Sequence, residues 1–352
     1  MREKFIHFYK ELHKIPEVGF KEFKTHQYIV DVLKTINCQI TELSPTGIIA
    51  FFDYGGKDSI AFRAEMDALE IIEKNSFDYI STHMGYMHAC GHDGHMAILL
   101  AMAMKLNLIK CPRNVVLIFQ PSEEKYGGAL KVLESNILQK YLVKEIYGLH
   151  LWPNLKKGVI ASHSKVLMAS STEIDIKIIG KETHIANKTD GIDAIKVAQR
   201  LLDNIECEDV VFNCGKISSI GARNIVCGNV SLECSLRTFN ELKRKQFLNN
   251  LSNISVKIAN DTTVNICIDA KRHIPLLKND LCLFEKHRHL IDEIISPVWQ
   301  SEDFAFYSLN YRCLFFFLGI GDTPKLHSRD FHFDLTVLQK GLNHFLKIAT
   351  TP

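Results

Sequence analysis

Long apolar runs, paired cysteine motifs and an excess of charge of one sign are all missing from this sequence of 352 residues. Its most apolar stretches, such as Val115–Phe119 and Cys313–Leu318, are far shorter than the roughly 20 residues that cross a bilayer. The 42 basic and 40 acidic side chains give a net charge of +2, without the dense basic segment of a nucleic-acid-binding protein. We therefore expect a small-molecule partner, with neither a membrane nor a nucleic acid bound.

The ten cysteines form no CxxC pair, and Met1–Leu12 mixes charged and aromatic residues instead of forming the apolar core of a signal peptide. This cysteine usage is typical of a reducing compartment, where most cysteines are small buried apolar residues. We expect a cytoplasmic protein. A redox or metal-buffering protein is an alternative because of the cysteine count, although paired cysteine motifs would then be expected.

The spacing of apolar residues predicts two kinds of sheet. In the N-terminal part, continuous apolar runs such as Ser59–Met66 alternate with helical stretches such as Gly94–Leu108, which favours an α/β domain with a mostly parallel sheet. Further along, Thr172–Ile179 and Val230–Arg237 alternate with period two, which indicates a sheet with one solvent-exposed face. A helix is predicted over Leu281–Ile295, where the first pattern returns.

These patterns predict a discontinuous domain organisation. Residues 1–168 and 277–352 would form the α/β domain. Residues 169–276 would form a smaller inserted α+β domain of ferredoxin-like type.

The strongest chemical signal is the segment MHACGHDGH at 87–95. Three histidines, a cysteine and an aspartate within nine residues include most side-chain types that bind transition metals. The glycines would let the loop fold tightly around a centre. The ordinary alternative is a helix N-terminus capped by Asp93, with histidines that are simply hydrogen-bonded.

A second signal is a pair of adjacent acids, Glu123 and Glu124, directly after an apolar strand. Strand ends are where open α/β sheets build their sites. Adjacent carboxylates can divide two tasks, because one binds a metal ion while the other takes a proton from water. Taken alone, two solvated acids in a turn are the more ordinary interpretation.

Further imidazoles and acids stand at other predicted strand ends: His150 in GLHLW, His327 in LHS, and Asp67 in RAEMD. Each is weak alone, since a core histidine or a surface ion pair would explain it. Together with the two stronger signals they supply nitrogen, sulfur and oxygen donors at the ends of separate strands. A metal site on an α/β sheet requires such a set.

The motifs follow one another along the chain as they do in the aminoacylase–dipeptidase metallopeptidase family, and the sequence resembles the amidohydrolase branch of that family. The matching segments are HKIPEVGFKEFKT (13–25), RAEMDAL (63–69), HACGHDGH (88–95), QPSEE (120–124), GLH (148–150), SEDF (301–304) and LH (326–327). The resemblance covers nearly the whole chain, and HACGHDGH together with QPSEE is highly specific.

The resemblance implies a centre for two divalent metal ions, and its ligand types suit zinc, manganese, nickel or cobalt. Matching the motifs residue by residue implies the ligands Cys90, His92, Glu124, His150 and His327. Glu123 would be the general base that deprotonates water and returns the proton to the leaving amine. Asp67 would orient the ligands.

The resemblance also implies that the inserted domain is a lid or dimerisation domain of a homodimer. His184 would help to hold the scissile carbonyl, and Asn224 and Arg237 would hold the substrate carboxylate. Glu65 stands where the family has a shorter aspartate that orients the site, and Glu182–Thr183 replaces a Gly pair before His184. Because glycine allows close approach and positive φ, these departures leave a catalytically impaired metal-binding relative as an alternative.

The activity implied is removal of the acyl group from an N-acyl amino acid. The segments IPEVGFKEFKTHQY (15–28) and GGALKVLES (127–135) favour N-acetyl-diaminopimelate, whose deacetylation serves lysine biosynthesis. A broader N-acyl-amino-acid or hippurate hydrolase is the alternative within the same class.

Overall fold

The computed structural model describes residues 2–351, so Met1 and Pro352, the outer ends of the predicted α/β domain, lie outside the described residues. The chain folds as two units. The larger unit consists of the residues up to 167, those at 278–296 and those from 302 onward. The inserted unit consists of Met168–Leu277 and Pro297–Ser301.

The segment Pro297–Ser301 groups with the inserted unit, whereas the predicted boundaries place it in the α/β domain. The backbone N–H of Ala169 donates to the carbonyl of Val298 at 3.0 Å. The Trp299 ring packs on Phe239 with centroids 4.3 Å apart. These contacts attach the short segment to the inserted unit across a long sequence separation.

The elements follow one another in three stretches. The first contains α1 (Arg2–His13), α2 (Phe23–Leu33), β1 (Gln39–Leu43), β2 (Gly47–Phe52), β3 (Ser59–Glu65), α3 (His92–Leu106), β4 (Asn114–Gln120), α4 (Gly128–Glu134), α5 (Ile137–Lys140), β5 (Val143–Pro153), β6 (Ile160–Ser162) and β7 (Val166–Met168). The second contains β8 (Ser170–Ile179), β9 (Thr183–His184), α6 (Ala194–Asp203), β10 (Val211–Ser219), β11 (Ile225–Val226), β12 (Asn229–Thr238), α7 (Glu241–Thr262) and β13 (Asn265–Ile274). The third contains β14 (Leu277–Lys278), α8 (Leu281–Lys286), β15 (Glu293–Ile294), β16 (Arg312–Gly321) and α9 (Leu338–Thr350).

The larger unit is built around a sheet of order β1-β2-β4-β3-β5-β16-β6-β15. Its middle strands β4, β3, β5 and β16 run parallel to one another. Every residue of β3 and β4 is buried, as expected for parallel strands covered on both faces. The predicted α/β class with a mostly parallel central sheet is confirmed.

The inserted unit follows the order strand, helix, strand, strand, helix, strand through β8, α6, β10, β12, α7 and β13. Its four-stranded sheet has the order β10-β12-β8-β13, and all neighbours are antiparallel. On β8, Ile174, Ile176 and Ile178 are buried in a core that includes residues of α6 and α7, whereas Glu173 and Lys177 are exposed. The alternation therefore produces a ferredoxin-like α+β arrangement.

Helix α3 runs through the core of the larger unit. Its residues from Met96 to Ala103 are all apolar and buried, and a helix that is apolar all round is placed in the interior. Gly91 precedes it with a φ of +83°, which glycine adopts without a steric penalty. This turn leaves Cys90 just before the helix and His92 in its first turn. Among residues 2–351, no helix is long and apolar enough to cross a membrane.

The helix predicted over Leu281–Ile295 is wrong beyond its first turns. Helix α8 ends at Lys286, and Glu293–Ile294 forms strand β15, which pairs in parallel with β6. Asp292 favours this strand, because its backbone N–H donates to the carbonyl of Ile160 and its carboxylate accepts from the Ile160 N–H, both at 2.8 Å. A pairing with a strand distant in the sequence therefore overrides the local helical pattern.

Candidate metal centre

The candidate residues lie at the carboxyl-terminal ends of the parallel middle strands, together with the N-terminus of α3. Asp67 follows β3, Glu123 and Glu124 follow β4, His150 lies toward the end of β5, and His327 follows β16. The carboxyl ends of parallel strands meet at one edge of the sheet. Residues far apart in the sequence are thus brought to one place.

Cys90 lies at the middle of this cluster. Its Sγ is 3.5 Å from Nε2 of His150 and 3.3 Å from Nε2 of His327. Nε2 of His327 is also 3.2 Å from Oε1 of Glu124. The donor atoms form two triplets that share Cys90, one with His92 and His150 and the other with Glu124 and His327, and the atoms of each lie within 4.8 Å of one another. The five ligands implied by the resemblance are therefore neighbours.

The histidine rings are oriented by backbone carbonyls. Nδ1 of His92 donates to the Asp67 carbonyl at 2.8 Å, and Nδ1 of His150 donates to the Leu151 carbonyl at 2.7 Å. These bonds place each ring proton on Nδ1 and leave the lone pair on Nε2. Nε2 of His92 is buried and has no hydrogen-bond partner among the described residues. A free imidazole lone pair beside a thiol and carboxylates is a donor set that fits a divalent cation.

Asp67 holds the loop of the two acids through its backbone. The Asp67 carboxylate accepts hydrogen bonds from the backbone N–H of Glu123 at 3.0 Å and of Glu124 at 2.9 Å. Burial opposes ionisation of Asp67, but the His92 imidazole and these two amides outweigh burial and lower its pKa. Asp67 is therefore an anion that fixes the two acids relative to His92.

The two adjacent acids have opposite electrostatic environments. Burial, then the carboxylates of Glu302 and Glu124, raises the pKa of Glu123 well above its ordinary value. Burial also disfavours ionisation of Glu124, but the imidazoles of His327 and His92 outweigh it and lower the pKa of Glu124. Carboxyl groups whose environments push their pKa values apart can take different roles, one as a proton carrier and one as an anion.

The longer side chain of Glu65 is held by hydrogen bonds to Arg63 and His95. One carboxylate oxygen pairs with Arg63, and the other accepts from Nδ1 of His95 at 2.7 Å. Nε2 of His95 accepts from the backbone N–H of Leu151 at 2.9 Å. Both His95 nitrogens are therefore occupied, which explains why this histidine of the HACGHDGH motif is not a free donor. His95 thus bridges the Glu65 carboxylate and the backbone of strand β5.

Asp303 anchors the site, although its role was not predicted from the sequence. Its carboxylate accepts from Nη2 of Arg63 at 2.6 Å, from Nε2 of Gln120 at 2.8 Å and from the backbone N–H of Ala129 at 3.0 Å. Gln120 precedes the acid loop and Ala129 follows it. Asp303 thus fastens both ends of the loop that carries Glu123. The SEDF motif at 301–304 contains Asp303, but the motif alone does not indicate that this carboxylate contacts Gln120 and Ala129.

Glu22 is a second anchor that was not predicted from the sequence. Its carboxyl group accepts from the backbone N–H of Ser122 at 2.8 Å and from Oγ1 of Thr46 at 2.6 Å. Burial, and then the nearby Asp67 carboxylate, raises the pKa of Glu22 from 4.5 to about 7. Ser122 has a φ of 50°, an uncommon conformation for a residue other than glycine. The Glu22 contact helps to hold it.

The remaining three predicted site residues lie in the inserted unit. His184 is exposed, and its Nδ1 accepts from the Ala186 N–H at 3.2 Å. The carbonyl of Asn224 accepts from the backbone N–H of Ile185 at 2.9 Å, so the predicted His184 and Asn224 segments are adjacent. Arg237 is half-buried and donates to Oγ of Ser301 at 2.8 Å.

The Glu182–Thr183 replacement does not strain the backbone. Neither residue has a positive φ, so the local conformation does not require the glycine pair. Strand β9, which begins at Thr183, pairs antiparallel with β11. The segment before His184 is thus held by ordinary strand pairing.

Comparisons with known proteins agree with this arrangement. The sequence profile described as "Peptidase family M20/M25/M40" matches residues 61–351. A relative from Leuconostoc citreum (strain KM20), named N-acetyldiaminopimelate deacetylase, is 29% identical over 363 aligned positions, which cover 96% of this chain and 93% of the relative. A relative of the same name from Limosilactobacillus fermentum is 28% identical, with 99% of this chain and 97% of the relative covered.

A solved structure of similar fold is the Bacillus subtilis YXEP protein. Its description is a dinuclear metal-binding peptidase of the M20 family. It is 28% identical to this chain and superimposes with a TM-score of 0.87, over 99% of this chain and 97% of its own.

Proposed function

The chain belongs to peptidase family M20/M25/M40, and from this premise we propose that it is a metal-dependent amidohydrolase that deacetylates N-acetyl-diaminopimelate. The observation that carries the metal dependence is the unpartnered Nε2 of His92 among two donor triplets that share Cys90. Cys90, His92, Glu124, His150 and His327 would hold two divalent ions. When bound, such ions polarise a carbonyl and make water acidic enough to attack it at neutral pH.

Glu123 is the proton carrier in this proposal. Its raised pKa reflects burial and neighbouring carboxylates, which suits a group that takes up a proton and releases it again. Glu123 accepts a proton from the attacking water and returns it to the amine nitrogen as the amide C–N bond breaks. Asp67 keeps the Glu123 backbone in place, and Asp303 keeps the whole loop in place.

The inserted unit supplies the other groups in the proposal. His184 donates a hydrogen bond to the scissile carbonyl, while Asn224 and Arg237 bind the carboxylate of the substrate. We further propose a homodimer formed through this unit. In its support, the helices of this unit expose Ile195, Leu242 and Val256, and exposed apolar side chains favour association.

The substrate assignment is supported by the names of the full-length relatives. N-acetyl-diaminopimelate carries a free amino group and a second carboxylate at the end opposite the acetylated amine, so a site for it would recognise a carboxylate distant from the reacting amide. A cytoplasmic location would accord with ten free thiols. A broader N-acyl-amino-acid hydrolase would instead hydrolyse substrates with and without the distant carboxylate at similar rates.

A hydrolysis panel tests the substrate. It compares N-acetyl-diaminopimelate with N-acetyl-lysine, which lacks the distant carboxylate, and with N-acetyl-methionine and hippurate. We expect the highest kcat/KM for N-acetyl-diaminopimelate, by more than about tenfold over N-acetyl-lysine, since binding an extra charged group is worth over about 1.4 kcal/mol. Equal values for the first two would refute the assignment and favour the broader hydrolase.

Chelation tests the metal dependence. Dialysis against a strong chelator should abolish hydrolysis, and one divalent ion should restore it, because the buried Nε2 of His92 has no hydrogen-bond partner among the described residues and lies in a cluster of metal-binding side chains. Metal content is measured by atomic emission in the same samples. Full activity in protein shown to be free of metal would overturn the proposal.

A further inference from the structure

Two of the ten cysteines are directly opposed in the inserted unit. In the register of β10 and β12, Cys214 pairs with Cys234. Directly opposed residues of antiparallel strands have Cα atoms about 4.5–5.5 Å apart, which falls within the roughly 4.4–6.8 Å spanned by disulfides. Both side chains also lie on the same face of the sheet. The register therefore brings two thiols within bonding reach.

This pair sits at the boundary between core and solvent. Cys234 is buried beside Leu232 and Leu236, whereas Cys214 is only partly buried and packs on the same core. Burial, and then the neighbouring Cys214 thiol, raises the pKa of Cys234 to about 12. The more accessible Cys214 is thus the thiol that would react first with a dissolved oxidant, and Cys234 would be its protected partner.

The strand beside the pair is irregular and open. The pairing of β10 with β12 shifts register between Cys214 and Lys216, so Gly215 forms a bulge. Cys214 stands on the edge strand of the sheet and is only partly buried. A molecule as small as a peroxide can therefore reach its sulfur.

From this register, burial and access we infer that Cys214 and Cys234 form a reversible cross-strand disulfide when the protein meets a peroxide. The Cys214 thiolate attacks one peroxide oxygen, the O–O bond breaks, and a sulfenic acid and hydroxide form. The Cys234 sulfur then attacks the sulfenic sulfur, the S–O bond breaks, and water leaves. Two thiols and one hydrogen peroxide thus give one disulfide and two waters, and a small dithiol reverses the bond.

The bond would close a ring from Cys214 to Cys234. This ring contains Asn224 and strand β11, which pairs with the β9 strand that ends at His184. Oxidation would therefore restrain the segments that carry the proposed substrate-binding residues of the inserted unit. We expect slower amide hydrogen exchange in β10 and β11 of the oxidised protein.

The test is peptide mapping of the full chain. Protein is treated with hydrogen peroxide, its remaining thiols are blocked with N-ethylmaleimide in denaturant, and it is digested with trypsin and a glutamyl endopeptidase together. This digestion separates Cys214 into residues 209–216 and Cys234 into residues 234–237, each without another cysteine. We expect these two peptides to be joined, two hydrogen atoms lighter than their sum, and released by dithiothreitol.

Matched variants complete the test. Cys214→Ser should abolish the joined peptide, whereas Cys267→Ser, at an exposed cysteine of β13, should leave it unchanged. Circular dichroism checks that both variants are folded. Wild-type protein in which both peptides carry the blocking group, or in which Cys214 proceeds to sulfinic acid without joining Cys234, would overturn the inference. A joined peptide that appears only in disulfide-linked dimers would overturn it as well.

Discussion

Glu22 provides a test of how the acid loop is held. In the structure its carboxyl group contacts Ser122 and Thr46, and its pKa is raised to about 7 by burial and by Asp67. Because the folded chain holds this proton more tightly than the unfolded chain, the stability it provides is fully present below about pH 4.5. That stability is lost as the pH rises through about 7.

The magnitude follows from the two pKa values. Each unit of difference between the folded pKa of about 7 and the unfolded pKa of 4.5 corresponds to about 1.36 kcal/mol. Ionisation of Glu22 in the folded chain therefore lowers the free energy of unfolding by about 3 kcal/mol. In Glu22→Gln, the amide oxygen can still accept from Ser122, and the amide nitrogen can donate to the Thr46 hydroxyl. We expect this variant to match the wild type near pH 4 and to be more stable by about 3 kcal/mol near pH 8.

Urea unfolding across this pH range measures the difference. A Trp299→Phe background leaves Trp152, which lies in the larger unit, as the fluorescent reporter, and a chelator removes the pH dependence of metal binding. Glu285→Gln, at an exposed position of α8, controls for the loss of one negative charge and should follow the wild-type profile. A Glu22→Gln variant with the wild-type pH profile, or with lower stability near pH 8, would refute the reasoning.

Other predictions concern the proposed catalytic roles. Glu123→Gln should keep its metal, and its kcat should fall by about 10²–10⁴-fold, whereas Glu124→Gln should lose metal. Equal metal contents in the two variants would contradict separate roles for the two acids. Asp303→Asn replaces the carboxylate that accepts from Gln120 by an amide, which weakens the hold on the loop of Glu123. The kcat should then fall by about 10–100-fold with fold and metal retained, and an unchanged kcat would show that Asp303 is not a positioning residue. If His184 serves the partner's site, mixing inactive Glu123→Gln and His184→Ala chains should restore activity, up to a ceiling of about one quarter of the wild-type value when the chains pair at random. No recovery despite subunit exchange would place His184 in its own chain's site.

The parts of the molecule that depend on local pattern could be predicted from the sequence. Continuous apolar runs indicated the buried parallel strands, and period-two alternation indicated the sheet of the inserted unit. Strand β10 was not predicted, because its residues are mostly exposed and Gly215 interrupts it. The helix predicted beyond Lys286 was wrong, because pairing with β6 decides that segment.

The candidate ligands were visible because each stands in a short motif of unusual composition, and the structure places Cys90, His92, Glu124, His150 and His327 together. Their roles, and those of Glu123, Asp67 and Glu65, remain predictions. The groups that hold the site were not visible. Asp303 meets Gln120 across 183 positions of the sequence, and Glu22 meets Ser122 across 100.

The sequence by itself determined which donor atoms are available, where the buried parallel strands of the larger unit form, and at which strand ends those donors stand. Only the tertiary structure decided which donors are free. It paired both nitrogens of His95 and left Nε2 of His92 unpartnered, and it opposed Cys214 to Cys234. The physical reason is that a side chain's type is local, whereas its hydrogen-bond partners and its burial depend on which distant segments the fold packs against it.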